Sequence, residues 1–457
     1  INPSRCWLDK RRWRRRNMST STNWFWPICG TSRKTYPTMS ISLPNYGFDS
    51  PDFVQSDTFA EFQKEYDIVL KRRYERWKRV INQGDLVRGH QLKRFCRKGI
   101  PSEFRSHVWM NLSGADKEMK ENPNVYKSAS GLQPAKEFNT TILADLPRTF
   151  PENVNFSAAA GLQNKRHSLQ RVLQAFAITF PKIGYCQGLN YVAATILLVL
   201  DGPAEEIEEK TFWLLHALTH NIVPAYYISG MVDVQVDCLV FEELLRQKVP
   251  SVYKVLKEAN VDCIVLATKW FICLFADVVP METVLRIFDC LFYEGDKILF
   301  RACIALVKLH LDTIVKCHLF PDVVLTFRNI CKDKQTLYCH EFLQAMFKLS
   351  GSLPRSRIQR LREKCRVKVM QTMDELNQRE AEYRTQLELQ RQKQNQVDHP
   401  EPDITPAEDN MIGEQQEEEA ESEEIGTGDL SKTTCNSNGE LAPAPSLVRS
   451  TVGLAVR

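Results

Sequence analysis

Apolar residues recur every three to four positions through most of residues 56–350 of this 457-residue chain. That spacing places them on one face of an α-helix, whereas a half-buried strand alternates apolar and polar residues in steps of two. Strand-like alternation bounded by turn dipeptides is nearly absent. The sequence therefore predicts an all-α, multi-helix fold.

The first predicted helix covers residues 59–82, and its apolar stripe indicates that it packs onto the rest of the protein. Pro101 is suited to the first turn of a second helix that contains Arg105 and Trp109. Further helices are predicted over residues 162–180, 189–200, 212–218, 239–246, 252–258, 263–277 and 283–293. The most apolar stretches, residues 189–200 and 261–280, are either too short for a membrane span or interrupted by charges, so we predict buried core helices.

We divide the chain into six segments, of which the two ends and residues 353–396 are set apart by composition. Residues 1–55 are basic and polar and are predicted to be disordered, as is the acidic segment 397–457. Between them we predict an N-terminal helical extension (56–98), a main domain (99–295) and further helices of the same lobe (296–352). Residues 353–396 are strongly charged and are predicted to form a single surface helix, with a short coiled coil as the alternative.

Charge and cysteine usage exclude several classes of function. The net charge of +4 is small for this length, so no general nucleic-acid role is predicted. Fourteen scattered cysteines without a C-x-x-C pair indicate a reducing compartment and no zinc site. The chain begins with Ile1, without a secretory signal, and Met18 or Met39 is a candidate start. For the basic cluster at residues 10–16 we favour a non-native translated segment over a lipid-binding or nuclear-targeting role.

Two short motifs some forty residues apart carry candidate chemistry. One is Ile142-x-x-Asp145-x-x-Arg148, in which a helix or tight turn would let the carboxylate hold the guanidinium. The other is Tyr185-Cys-Gln187-Gly188. An arginine and a glutamine are the side chains that stabilise charge and orient water during GTP hydrolysis. Neither motif is a glycine-rich nucleotide-binding loop, so the sequence predicts that these groups act on a nucleotide held by another protein.

Each motif alone has a simpler explanation, since most Arg–Asp pairs are structural salt bridges. Their order along the chain gives them more weight. Arg105-x-x-x-Trp109, the Arg148 motif and the Gln187 motif occur in the order and spacing of the TBC domain, the family of Rab GTPase-activating proteins, which this sequence resembles over residues 99–295. Phe288 departs from the family, which has tryptophan there, and leaves the packing at that position open. Residues 46–49, 270–289 and 351–353 resemble one branch of the family.

The resemblance implies a TBC fold and a chain that is not itself an enzyme. Arg148 would be an arginine finger and Gln187 a glutamine finger, both donated to the GTP-bound form of a Rab GTPase. Asp145, Arg105, Trp109, Tyr185 and Gly188 would support or position them. GTP and Mg²⁺ would belong to the partner, so no cofactor is expected in this chain. A cytoplasmic location, recruitment to endomembranes through the Rab and a role in vesicle trafficking are further implications.

Two alternatives to a catalytic activator stay open at this point. A Rab-binding adaptor would use the same groove without stimulating hydrolysis, although such a protein would not need to keep both Arg148 and Gln187. A helical scaffold would account for the Asp145–Arg148 pair but gives no reason for the Gln187 motif.

Overall fold

The structure, a computed structural model, describes residues 46–49, 51–82, 84, 86–157, 164–228 and 230–398, with side chains as far as residue 391. All regular secondary structure in these residues is helical, as the sequence predicts. Residues 1–45 and 399–457, which include most of the two predicted tails, lie outside the described part.

The first half of the described chain contains short and medium helices. They are α1 (Ser56–Asn82), α2 (His90–Lys98), α3 (Ser102–Ser113), α4 (Ala115–Glu121), α5 (Val125–Ala129), α6 (Lys136–Asp145), α7 (Arg166–Thr179), α8 (Leu189–Val199) and α9 (Ala204–His216). A 3₁₀ turn (Leu146–Arg148) follows α6, and a π-helical turn (Ala217–Ile222) follows α9.

The second half contains ten more helices among the described residues. They are α10 (Val232–Lys248), α11 (Pro250–Glu258), α12 (Cys263–Ile272), α13 (Met281–Glu294), α14 (Lys297–Leu309), α15 (Leu311–Ile314), α16 (Phe320–Asn329), α17 (Lys334–Leu337), α18 (Cys339–Leu349) and α19 (Arg355–Asp398). No helix in the described residues has the length and apolar character required to cross a bilayer.

Several observed helices, such as Ala204–His216 and Val232–Lys248, extend beyond the predicted ranges, and two other boundaries fall inside them. Helix α7 begins at Arg166 rather than near residue 162, and in the turn that precedes it the side chain of Asn164 accepts a hydrogen bond from the Arg166 N–H (2.8 Å). Helix α12 ends at Ile272 rather than at 277. The next residues turn back, with the Phe275 N–H donating to the Trp270 carbonyl (2.9 Å) and positive φ at Leu274 and Phe275.

The helices share one continuous apolar core. In the first half, α9 packs against α4, α7 and α8. In the second half, α13 packs against α2, α3, α14 and α18. Helix α8 is buried along almost its whole length, which explains why its sequence is apolar on every side.

Helices α1 and α19 are held to this core at opposite ends of the described chain. Helix α1 buries the predicted stripe, and its Trp77 indole N–H donates to the Gly99 carbonyl (3.0 Å). The first half of α19 packs on α10, where the Arg362 guanidinium donates to the buried Asp237 carboxylate (2.6 and 2.7 Å). Beyond Met373 the side chains of α19 are mostly exposed.

The carboxylate of Glu294 joins three helices, α2, α13 and α14. It accepts hydrogen bonds from Arg97 (2.5 and 2.9 Å) and forms an ion pair with Lys297 at 2.9 Å. Burial alone would raise the pKa of this carboxyl, but the bonds from Arg97 and Lys297 outweigh burial and lower the pKa to about 2 from an ordinary value of 4.5. The ionised form of Glu294 therefore stabilises the packing of α2 on the domain.

Replacing Glu294 with glutamine should change how stability depends on pH. Because the pKa of Glu294 is lower in the folded chain than in the unfolded chain, its contribution is complete above about pH 4.5 and disappears as the pH falls toward 2. The difference in free energy of unfolding between wild type and Glu294→Gln should shrink by about 2 kcal/mol between about pH 5.5 and pH 3. Urea denaturation at a series of pH values measures it.

The matched control is Glu121→Gln, which removes an exposed carboxylate 3.6 Å from the exposed Lys117 ammonium. Its unfolding free energy should stay within about 0.5 kcal/mol of wild type across the same pH range. If the curves of unfolding free energy against pH were parallel for wild type and Glu294→Gln, they would contradict the low pKa assigned to Glu294.

Candidate functional site

The Asp145–Arg148 motif adopts a tight turn at the end of a helix. Helix α6 ends at Asp145, and the 3₁₀ turn with Pro147 continues to Arg148. This turn places the two charged side chains next to each other, and the Arg148 guanidinium forms an ion pair with the Asp145 carboxylate. Asp145 is fully buried, whereas 37% of the Arg148 side chain is exposed. Arg148 therefore has a buried anchor and a guanidinium group at the surface.

Tyr185 brings the second motif to the same carboxylate. Its hydroxyl donates a hydrogen bond to Asp145 (2.5 Å), although the two residues are forty positions apart. Burial, with the charge of Asp145, raises the pKa of the Tyr185 hydroxyl well above its ordinary value. Tyr185 therefore remains a proton donor at neutral pH, and Asp145 holds both Arg148 and the loop that carries Gln187.

Gln187 lies directly before α8 and is half-buried. Its side chain makes no hydrogen bond to any other described residue. Gly188 adopts a φ of +113°, and a Cβ atom there would lie 3.2 Å from the Ile272 carbonyl oxygen. Glycine at 188 thus allows the loop that carries Gln187 to approach α12 closely.

Thr149 and Asn190 also connect the two motifs, and the sequence analysis did not identify them. Asn190 donates to the Thr149 hydroxyl (2.8 Å) and accepts from the Gly188 N–H (3.0 Å). The Thr149 hydroxyl in turn donates to the Asp145 carbonyl (2.7 Å). Both side chains are fully buried. An asparagine inside the otherwise apolar α8 was the available signal, because buried polar side chains almost always have specific partners.

The backbone of the Arg148 turn is supported from a third side. The hydroxyl of Tyr191, in the first turn of α8, donates to the Arg148 carbonyl (3.1 Å). Phe150 adopts a positive φ of 47°, and its ring packs edge-on against Tyr191 and Phe48 at 5.4 and 5.2 Å. The turn is therefore fixed by packing as well as by hydrogen bonds.

Arg105 and Trp109 lie in a different cluster. Both are buried, with Arg105 donating to Glu282 (2.9 and 3.0 Å) and the Trp109 indole donating to Asp289 (3.0 Å). In the described residues, no hydrogen bond or ion pair joins either of them directly to Arg148 or Gln187. The structure thus brings together Asp145, Arg148, Tyr185 and Gly188, and assigns Arg105 and Trp109 to the core.

The described residues contain no cluster of three or more histidine, cysteine or acidic side chains that could hold a metal ion. The site offers one half-exposed guanidinium and one carboxamide. In the described residues, the Nε atom of Arg148 has no hydrogen-bond acceptor. Such a site can donate hydrogen bonds to an anionic group or orient a water molecule held by a partner.

Comparison with known proteins places this site in a family context. Residues 102–315 match the family model RabGAP-TBC, described as the Rab-GTPase-TBC domain. Growth hormone-regulated TBC protein 1 of Homo sapiens is 38% identical over 325 residues, which cover 71% of this chain and 95% of that protein. Growth hormone-regulated TBC protein 1-A of Danio rerio is 40% identical over 332 residues, covering 72% of this chain and 91% of that protein. These relatives represent the branch that the sequence resembles.

The fold has solved counterparts. The Chlamydomonas flagellar RabGAP TBC domain has 29% sequence identity and a TM-score of 0.57, covering 67% of this chain and 99% of that chain. The Ypt/Rab-GAP domain of Gyp1p has 21% identity and a TM-score of 0.53, covering 62% of this chain and 98% of that chain, and shows the same fold. The length and the sequence identity of the matches to the family model and to the two growth hormone-regulated TBC proteins show that this chain belongs to the RabGAP-TBC family.

Proposed function

We propose that this chain activates GTP hydrolysis by a Rab-family small GTPase, to which it donates Arg148 and Gln187. The observation that carries the proposal is the buried Asp145 carboxylate, which holds the half-exposed Arg148 and, through Tyr185, the loop of Gln187. This arrangement connects the half-exposed guanidinium of Arg148 to the loop of Gln187, whose side chain makes no hydrogen bond in the described residues.

Arg148 is proposed to stabilise negative charge that develops as the γ-phosphoryl group transfers to water. An arginine donated in this way accelerates hydrolysis roughly 10³–10⁵-fold in known GTPase systems. This acceleration corresponds to about 4–7 kcal/mol of transition-state stabilisation. The planar guanidinium can contact two phosphate oxygens at once, which a lysine cannot do, so Arg148→Lys should not restore activity.

Gln187 is proposed to orient the attacking water by hydrogen bonding through its carboxamide. Its position directly before α8 fixes the backbone, while the side chain stays available. GTP and Mg²⁺ would be bound by the partner, and this chain would supply positioned donors only. We place this activity in the cytoplasm, at endomembranes to which the GTP-bound Rab recruits the chain, with regulation of vesicle trafficking as its consequence.

Removing either donated side chain should abolish most of the stimulation without unfolding the protein. Arg148→Ala and Arg148→Lys should lower stimulated hydrolysis by about 10³-fold or more, and Gln187→Ala by at least about 10²-fold. The measurement is phosphate release across a panel of purified GTP-loaded Rab proteins. Arg379→Ala and Gln390→Ala on the exposed part of α19 are the matched controls and should retain full stimulation. Full stimulation by Arg148→Ala would contradict the proposal.

A transition-state trap separates a catalytic activator from a non-catalytic Rab-binding adaptor. A catalytic activator binds a Rab–GDP–aluminium fluoride complex more tightly than Rab–GDP, because only the former resembles the transition state. We expect at least about tenfold tighter binding by calorimetry, and loss of that preference in Arg148→Ala. Equal affinity for both nucleotide states, with binding to Rab–GTP retained, would instead favour the adaptor.

Asn190 is predicted to position both donated groups without touching the nucleotide. Asn190→Ala removes the donor to Thr149 and the acceptor for the Gly188 N–H, so the turn and the loop lose their shared support. The buried bonds lost should reduce the free energy of unfolding by about 1–3 kcal/mol. Stimulated kcat should fall roughly tenfold or more, with a smaller change in the KM for Rab.

Thr149→Val provides the test of coupling. If Asn190 and Thr149 act through their one shared hydrogen bond, the double variant Asn190→Ala with Thr149→Val should lose little more kcat than the more impaired of the two single variants. The assay is run below the melting temperature of every variant, with folded fractions checked by circular dichroism. Additive losses, or unchanged kcat in folded Asn190→Ala protein, would contradict the positioning role.

A further inference from the structure

A basic groove lies between α1 and α2, on residues that the proposed activity does not use. It has a volume of about 650 Å³. Most of its polar side chains are cationic or potentially cationic, and they stand beside the ring of Trp77: Arg73, Arg76, His90, Arg94 and Lys98. No carboxylate is among the lining residues that the structure describes. A concave site of this size is typical of small-ligand binding.

Three of these cations have no ion-pair partner in the described residues. Arg76 and Arg94 are exposed and Lys98 is half-buried, and none of them lies within 4.0 Å of a described carboxylate. By contrast, Arg97 and Lys93 on the neighbouring face of α2 both pair with Glu294. The cations of one face are thus neutralised by the protein, whereas those of the groove face are not.

The charges in the groove act on one another. Burial and the guanidinium groups of Arg94, Arg76 and Arg73 together lower the pKa of Lys98. At the inner end of the groove, Arg73 donates to His340 (3.0 Å). Burial and nearby cations that include Arg73 and Lys98 lower the pKa of His340 to about 4. The groove therefore concentrates positive potential, and an anion that enters it would relieve repulsion among fixed charges.

We propose that this groove binds a compact anion carrying two or more phosphate groups, with Arg76, Arg94 and Lys98 as its main contacts. Guanidinium groups on two different helices can each make paired hydrogen bonds to separate phosphates. The phosphates could belong to a phosphoinositide headgroup in a membrane or to a soluble inositol polyphosphate. Both ligands would present the same kind of phosphate groups to the cations of the groove.

The chain's own acidic residues 414–424 are a less suitable occupant. Helix α19 starts near α2, since Arg355 donates to the Glu294 carbonyl (2.7 Å) and Glu294 pairs with Arg97. A helix of 44 residues is about 66 Å long, so Asp398, which fifteen further residues separate from residue 414, lies far from the groove.

The test measures binding of inositol hexakisphosphate and of vesicles by the full-length chain. All proteins carry glutamine in place of the basic residues at 10–16, because that segment could bind anions by itself. Binding of the soluble anion is followed by calorimetry. Vesicles of phosphatidylcholine with 5% phosphatidylinositol 4,5-bisphosphate are compared with vesicles of equal charge made with phosphatidylserine, by co-sedimentation.

The critical variant is Arg76→Gln with Arg94→Gln, which changes two exposed side chains. Its affinity for the phosphorylated ligand should fall at least about tenfold for each arginine lost. Lys71→Gln with Lys78→Gln removes the same charge from exposed positions of α1 that do not line the groove, and should bind like the parent. Tight binding to either probe supports the proposal. Binding of inositol hexakisphosphate alone identifies a soluble source, and binding of the phosphoinositide vesicles above that of the phosphatidylserine vesicles identifies a lipid source.

Three results would overturn the proposal. They are no binding of either probe, equal weakening in the groove and control variants, and binding that appears only after residues 399–457 are removed. The last result would show that the acidic segment occupies the groove. Stimulated GTP hydrolysis is measured on the same variants without any phosphate probe and should be unchanged, so failure here is distinguishable from failure of the proposed Rab activation.

Discussion

The buried carboxylate of Asp289 is the interaction on which the arrangement of the helices depends. It accepts hydrogen bonds from the Ile100 N–H (2.9 Å), the Trp109 indole (3.0 Å) and the Arg105 guanidinium (3.3 Å). Two of these donors belong to α3 and the third, Ile100, lies two residues before its start, while Asp289 is on α13. An ionised group buried without partners is strongly destabilising, and removing one member of such a pair costs about 3–5 kcal/mol. The carboxylate therefore fixes how the two halves of the domain meet.

The same network reaches the candidate site through the segment that precedes α1. Arg105 also donates to the Tyr46 hydroxyl (2.7 Å), and the carbonyl of Tyr46 accepts from the Asn153 side chain (2.9 Å). The neighbouring Phe48 packs on Phe150, directly after the Arg148 turn. Arg105 thus supports the Arg148 turn without touching it, through Tyr46 and the residues that follow the turn. This connection gives a physical reason why a motif in the core and a motif at the surface belong to one sequence signature.

The sequence predicted what depends on local pattern, and missed what depends on contacts between distant residues. The all-α fold followed from the spacing of apolar residues, and the packing of α1 onto the core followed from its apolar stripe. The pairing of Asp145 with Arg148 needed only a turn of the right length. The bridge from Asn190 to Thr149 could not be located in the same way, because it joins residues 41 positions apart and neither belongs to a charged pair. The early end of α12 depended on non-glycine residues with positive φ, which local propensity disfavours.

The polar groups of the site differ in how completely the protein bonds them, and that difference separates the supporting residues from the two that we propose are donated. Asn190 and Thr149 are fully buried, with both of their functional groups hydrogen-bonded inside the chain. Arg148 keeps a single ion pair and a half-exposed guanidinium, and Gln187 has no side-chain bond in the described residues. A folded protein bonds nearly all of its buried polar groups, so donors left without partners beside such a rigid frame are positioned for a ligand. In the proposed complex, a frame that is already hydrogen-bonded would add little ordering cost, and the binding energy would remain available for the transition state.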